Sequence, residues 1–191
     1  MTPPRIVTRY DDASPFKING VYCRFLPLSR GLITIVNSKH YDDLIRWGWY
    51  ALKIRGRFYA ARKARLDEGK KHEVILMHRY LLGLKFGDNR EGDHIDLNSL
   101  NNLQTDDPDT TNIRIATDLQ NRYNTPKRRT NSSGFKGVRF DKKASAKNPW
   151  TARITVDGKE MHLVNHATPE LANRAYEAAA KQYFGKFARS R

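Results

Sequence analysis

Gly92-Asp93-His94-Ile95-Asp96 and, further on, Asn112-Ile113-Arg114-Ile115-Ala116-Thr117-Asp118-Leu119-Gln120-Asn121 are the stretches on which the reading of this chain turns. The first run and Asn112–Ala116 each alternate like a short strand. Thr117-Asp-Leu-Gln120 matches a capping box, so a helix is expected to begin at Asp118 and to carry Asn121 and Asn124 on its first turns. The unit is then strand, long loop, strand, helix, and such a helix can cross the hairpin and bring Asn121 toward Asp93. An acid beside a histidine at a strand end, with two amides, can hold one hard divalent cation and one proton acceptor. That kit suffices to hydrolyse a phosphodiester.

The charge around this segment points to a polyanion. The chain has 191 residues and a formal net charge of +15. Residues 1–87 hold 17 Lys/Arg against 7 Asp/Glu, and residues 126–191 hold 15 against 5. Between them, residues 88–118 hold 8 acidic residues against Arg90 and Arg114. Basic flanks attract phosphates, and an embedded acidic island can hold a cation. Basic charge alone would equally suit a membrane surface or RNA. The island favours metal-dependent chemistry on nucleic acid.

Composition sets outer limits. Apolar residues make up 39% and aromatics 10%, which indicates folded globular material with room for one or two cores. A single cysteine, Cys23, excludes a disulfide framework and a multi-cysteine zinc site. It is expected as a small core residue in a reduced, cytoplasmic compartment. Neither a membrane-length apolar run nor a signal peptide is visible.

Residues 1–19 read as a loose tail. Short β-prone runs follow at Val21–Leu26 and Leu32–Val36, then a short helix from Tyr41 and a hairpin, 49–53 with 58–62, turning at Arg55-Gly56-Arg57. Val74-Ile-Leu-Met-His-Arg79 leads into the acidic island. His78 and Arg79 suit either core and salt-bridge roles or phosphate contact. Residues 125–133 read as a basic linker. Beyond it come strands at Gly137–Phe140, Trp150–Val156 and from Glu160, with Asp157-Gly158 as a strong hairpin signal. A helix starts with Thr168 as N-cap, Pro169 at N1 and Glu170 in the first turn, and Gly185 is placed to end it. Its apolar face is expected from Leu171, Ala172, Ala175, Tyr176, Ala178, Ala179 and Tyr183.

The order Asp93-His94, then Asn112-Ile-Arg, then Gln120-Asn121 resembles the HNH endonucleases, in particular the homing-endonuclease branch with asparagine in the last position. Met77-His-Arg-Tyr-Leu-Leu-Gly83 and Leu26-Pro-Leu-Ser-Arg-Gly31 look like that branch too, and the match covers roughly residues 24–125. The loop from His94 to Asn112, with Asp106-Asp-Pro-Asp109, is longer than usual in the family. The resemblance implies a ββα-metal fold. It makes His94 the general base for the attacking water, Asp93 and Asn121 the ligands of one Mg²⁺ or Mn²⁺, and Asn112 the residue that braces the loop and orients His94. It also implies 5′-phosphate and 3′-hydroxyl products.

The segment Ser133-Gly-Phe-Lys-Gly-Val-Arg-Phe140, with Trp150–Val156 and the alanine-rich helix ending at Phe184-Gly185, resembles the AP2 DNA-binding domain over about residues 132–190. In that family three antiparallel strands lie in the major groove and the helix packs behind. Alternation agrees, with Ala152, Ile154 and Val156 toward the helix, Arg153 and Thr155 outward, and Arg139 outside Val138 and Phe140. By the resemblance, Arg139, Arg153, Thr155, Glu160 and His162 face the groove and Lys143 joins them. Lys127, Arg128 and Arg129 are expected to follow phosphates. Asp141, Thr155 and His162 stand where the family usually has further arginine or tryptophan, so no base preference follows.

The expected protein is therefore α+β: a tail at 1–19, an HNH nuclease domain at 20–124, a linker at 125–133 and an AP2-like domain at 134–191. It would be a DNA endonuclease acting on double-stranded DNA as a monomer or weak dimer, with no membrane and no small-molecule cofactor. A non-catalytic, sequence-specific DNA-binding regulator is the alternative, and an RNA-binding protein a weaker third.

Overall fold

The computed structural model describes residues 14–65, 67–68 and 73–189. It is a mixed α+β fold of several small sheets and few helices. The chain divides into two compact units, residues 1–117 and 118–191.

In the first unit, β1 (Phe16–Ile18), β2 (Val21–Pro27) and β3 (Ile33–Asn37) form an antiparallel meander, and β8 (Asn101–Asn102) adds to β3 in parallel. The residues 1–13 of the expected tail lie outside the described residues. Its end is a strand: Phe16 stacks on Phe25 with ring centroids 4.3 Å apart, which anchors β1 on β2. The turn between them is Asn19-Gly20, a two-residue hairpin signal.

Helix α1 (Ser38–Leu44) follows, capped by the side chain of Asn37 on the Lys39 amide at 3.0 Å. A second sheet, β4 (Tyr50–Ile54), β5 (Arg57–Lys63) and β6 (Val74–Leu76), runs into α2 (Met77–Leu81). Leu26, Val36, Leu44, Trp49, Ala51, Ala60 and Met77 share one core. Cys23 is fully buried, as its size and polarity suggest. Arg79 is structural, donating to the carbonyls of Lys85, Asp88 and Arg90 at the end of the α2 turn. A final antiparallel pair, β7 (Glu91–His94) with β9 (Ile113–Ala116), carries the Asp-His segment, and α2 packs on β7.

The second unit begins with α3 (Asp118–Tyr123), where the sequence places a helix start. It continues with an antiparallel sheet of β10 (Val138–Phe140), β11 (Trp150–Val156) and β12 (Lys159–His166), backed by α4 (Pro169–Phe184). β11 and β12 turn at Asp157 (φ 49°) and Gly158 (φ 79°), the paired positive angles that match strand twist in a two-residue hairpin. Thr168 caps α4, accepting from the Leu171 amide at 3.3 Å. The core joins Val138, Ala152 and Ile154 to Ala172, Tyr176, Ala179, Ala180 and Phe184.

Two details differ from the sequence reading. Leu171, Ala178 and Tyr183 are exposed, because the buried stripe runs through Ala172, Tyr176, Ala180 and Phe184. Phe140 is also exposed and meets Trp150 edge-on at 5.2 Å; the alternation expected to turn it inward breaks at the strand end. Tyr123 of α3 stacks on Phe184 at 3.7 Å, and Lys136 Nζ donates to the carbonyls of Tyr123 and Thr125 at 2.7 Å each. These contacts explain why α3 groups with the C-terminal unit.

Candidate active site

The β7–β9 pairing sets Asp93 opposite Arg114 and His94 opposite Ile113. Across that register Arg114 reaches one carboxylate oxygen of Asp93 with two nitrogens, Nε at 2.8 Å and Nη2 at 2.7 Å. Asp93 is 3% exposed, so the ion pair compensates a charge that burial would otherwise oppose. Arg114 stands in the strand motif but was not expected in this role. The direct cross-strand position is the signal that could have found it.

His94 is 7% exposed and closes the end of β7. Its Nε2 lies 3.1 Å from Asn102 Oδ1, and its ring meets those of His78 at 4.8 Å and Tyr59 at 6.2 Å. Burial pushes the His94 imidazole below its ordinary value, while Asn102, Asp96 and Asp93 oppose that shift. His78 is held down to about 3, by burial first and then by the charges of His94 and Arg79. Both rings are therefore neutral at neutral pH, and His94 is in the form that accepts a proton.

Asn112 staples the loop between the strands. Its Oδ1 accepts from the Asp96 amide at 3.0 Å, and its Nδ2 donates to Asp96 Oδ1 at 2.9 Å and to the Asn101 carbonyl at 2.7 Å. The Asn112 carbonyl accepts from the Ile95 amide at 2.8 Å. The Asn112 side chain thus ties together residues 96 and 101 of the loop, and a side chain that bonds the His94 ring is Asn102, unanticipated from the sequence. The added acidic stretch folds on itself, with the amides of Thr110 and Thr111 donating to the Asp107 carbonyl and Asp106 meeting Lys39 at 2.9 Å.

Asn121 lies on α3, in the second unit. No group of three or more His, Cys, Asp and Glu gathers as a metal cluster among the described residues. Asp93 and Asn121 both offer hard oxygen donors of the kind Mg²⁺ and Mn²⁺ take, and Mg²⁺ completes its shell with water and phosphate oxygens.

In the second unit, Arg139 and Thr155 are exposed on the sheet, and Arg153 is ion-paired with Glu160 one strand away. His162 Nε2 meets Asn165 Oδ1 at 2.7 Å. The Lys143 amide donates to Asp141 in a turn at 3.0 Å. Lys127 Nζ donates to the Gly134 carbonyl at 2.6 Å, and Arg128 and Arg129 are exposed. A cleft of about 620 Å³ gathers Arg122, Lys127, Arg128, Lys136, Arg139 and Arg153 along its walls. Lys136 was missed because it sits within a turn-rich run; burial lowers its ammonium to about 8.

The chain is similar to a protein of Acanthamoeba polyphaga mimivirus named an uncharacterized HNH endonuclease, 28% identical over 172 residues that make up 88% of this chain and 79% of that protein. It is also similar to protein 3.8 of Escherichia phage T7, 29% identical over 99 residues, 52% of this chain and 74% of the phage protein. No family model matches, and no solved structure matches. No helix among the described residues is long and apolar enough to cross a membrane.

Proposed function

We propose that this protein is a DNA endonuclease of HNH type, in which the β7–β9 hairpin and α3 supply a ββα-metal centre and the C-terminal unit is an AP2-like module that holds the duplex. The observation that carries the reading is the buried, neutral His94 imidazole beside the Asp93 carboxylate at the end of a stapled hairpin. Similarity over most of the chain to a protein named an HNH endonuclease supports it, as does the net charge of +15.

In this reading His94 takes a proton from the attacking water, and the Asn112 staple keeps the backbone beside it in place. Arg114 fixes the rotamer of Asp93 and moderates its charge. Asp93 and Asn121 would hold one Mg²⁺ or Mn²⁺, whose chemistry when bound is to stabilise charge on the scissile phosphate and the leaving oxygen. Arg139, Arg153, Thr155, Glu160, His162 and Lys143 on the sheet side, with Lys127, Arg128 and Arg129, would meet double-stranded DNA and supply residence on the site. The homing assignment follows from the asparagine in the last motif position. A single centre per chain makes a nick the natural product of a monomer.

The test is conversion of supercoiled plasmid to nicked circles by the full-length protein with Mg²⁺, with Mn²⁺ and with EDTA. Cutting is expected with either metal and not with EDTA, and His94→Ala should slow it on the order of 10²–10⁴-fold. Tight binding with no cutting under any condition would leave a DNA-binding regulator instead.

A further inference from the structure

A buried chain of side chains runs from the His94 ring to a backbone carbonyl. Thr34 Oγ1 lies 2.7 Å from the Leu100 carbonyl, Asn102 Nδ2 lies 2.8 Å from Thr34 Oγ1, and Asn102 Oδ1 lies 3.1 Å from His94 Nε2. Thr34 and Asn102 are 0% and 1% exposed, so water does not compete along the chain. Both sit on paired strands, with Asn102 opposite Val36 of β3, two residues beyond Thr34.

The direction of each hydrogen bond follows from what the atoms can do. A carbonyl only accepts, so Thr34 donates its single hydroxyl hydrogen to Leu100. Thr34 oxygen then has only lone pairs left for Asn102, which must face it with the amide NH₂. The amide oxygen therefore faces His94, and the ring nitrogen opposite it must carry the hydrogen. The result does not rest on how amide atoms are assigned, because the opposite orientation sets two acceptors against each other.

We infer that Asn102, oriented by Thr34, holds His94 as the tautomer with its proton on Nε2, which leaves the basic lone pair on Nδ1. Asn102 is a positioning residue in the sense that it acts through the imidazole, and this part of the inference rests on the reading of His94 as the proton acceptor. Asn112 contributes at one remove, since its Nδ2 holds the Asn101 carbonyl next to Asn102 in the chain. The device links the first sheet to the hairpin: a strand at residues 33–37 decides which nitrogen of residue 94 is the base.

The experiment is long-range ¹H–¹⁵N correlation of the histidine rings in ¹⁵N-labelled full-length protein at mildly alkaline pH, where imidazoles are neutral. The His94 signals are assigned by their loss in His94→Ala. The wild type is expected to show a protonated Nε2 and an unprotonated Nδ1. Asn102→Leu should abolish that pattern and lower kcat on the order of 10–100-fold with KM unchanged. Thr34→Val should do the same, while Thr34→Ser, which keeps the hydroxyl, restores both spectrum and rate. The Thr34 pair covers the case in which Asn102→Leu does not fold. A wild-type ring protonated on Nδ1, or a spectrum indifferent to both Asn102→Leu and Thr34→Val, overturns the inference. The Nε2-protonated pattern in a protein that never cuts DNA would support the tautomer assignment and overturn the nuclease reading.

Discussion

The imidazoles of His78 and His94 stand edge to face, with ring centroids 4.8 Å apart and planes at 67°. Two protonated rings at that separation would repel in a site with little water to screen them, so the pair is built for the neutral state. His78 is the more deeply affected, held to about 3 against an ordinary 6.5. Between those values the unfolded chain binds a proton that the folded chain refuses, so stability falls as pH drops from 6.5 toward 3. One such group contributes at most about 1.4 kcal/mol per pH unit. His78→Phe should flatten the stability curve across this window, as urea denaturation at a series of pH values would read. Parallel curves for the two proteins would mean that His78 is not the group concerned.

The same ring explains Gly92. A Cβ placed there would lie 2.3 Å from His78 Cδ2 and 3.3 Å from Leu82 Cδ1. His78 is buried and cannot swing away. Gly92→Ala should therefore cost about 1–3 kcal/mol by overpacking, measured by chemical denaturation. The double variant Gly92→Ala with His78→Ala should recover part of that loss, since the clash goes with the ring. Additive losses would place the strain elsewhere.

The hairpin that bears Asp93 and His94 was legible because its strands alternate and its residues are neighbours in the chain. The hairpin turns at Asp157-Gly158 and Arg55-Gly56 and the Thr168 cap were legible for a like reason, each being a local rule with a residue type that satisfies it. Asn102 was not. It lies in a polar stretch with no period, and its partner Thr34 is 68 residues away. Only the parallel pairing of β8 with β3, a non-local contact, sets it beside Thr34, the residue that orients its amide. The helix stripe was misplaced for a subtler reason. An alanine-rich helix offers apolar residues on several faces, and the position of Tyr176 and Phe184 against the sheet decides which is buried. The strand at Phe16–Ile18 was lost in a stretch read as tail, although Asn19-Gly20 marked its turn.

A second buried charge was also hidden in the sequence. Arg62 is 2% exposed, with its guanidinium 4.0 Å from the ring centroid of Trp47 and 5.2 Å from that of Tyr80. Glu68 pairs with it, at 2.7 Å from Nη1, and the pairing holds the Glu68 carboxyl down from 4.5 to about 2. A guanidinium suits this place because its flat faces can lie on aromatic rings while its edge bonds a carboxylate. Arg62→Ala should cost about 2–4 kcal/mol, chiefly through the lost packing of its buried stem and guanidinium, because the Glu68 carboxylate left behind still reaches water. Arg62→Met should cost less, because it refills the volume without a charge. Equal losses in thermal melts would show that packing contributes little.

On the proposed function, the Arg153–Glu160 pair of the C-terminal sheet leads to a prediction about DNA binding itself. Arg153 donates to Glu160, whose carboxyl is held below its ordinary value by that bond, whereas Arg139 is an exposed cation on the adjacent strand. Each cation that neutralises a phosphate steepens the fall of affinity with salt by about 0.9 in the log–log slope. Arg139→Ala should remove about one such contact. Arg153→Ala should remove less, because Glu160 already offsets its charge and is left behind uncompensated only at the rim. Glu160→Gln should act in the opposite direction, raising affinity for any duplex and steepening the slope, as it frees Arg153 for phosphate or base edges. Fluorescence anisotropy over a salt series, on one duplex and on a scrambled one, separates these effects. If Glu160→Gln weakened binding to one duplex while leaving the scrambled one unchanged, the carboxylate would instead be reading a base, for which a cytosine amino group is the fitting donor.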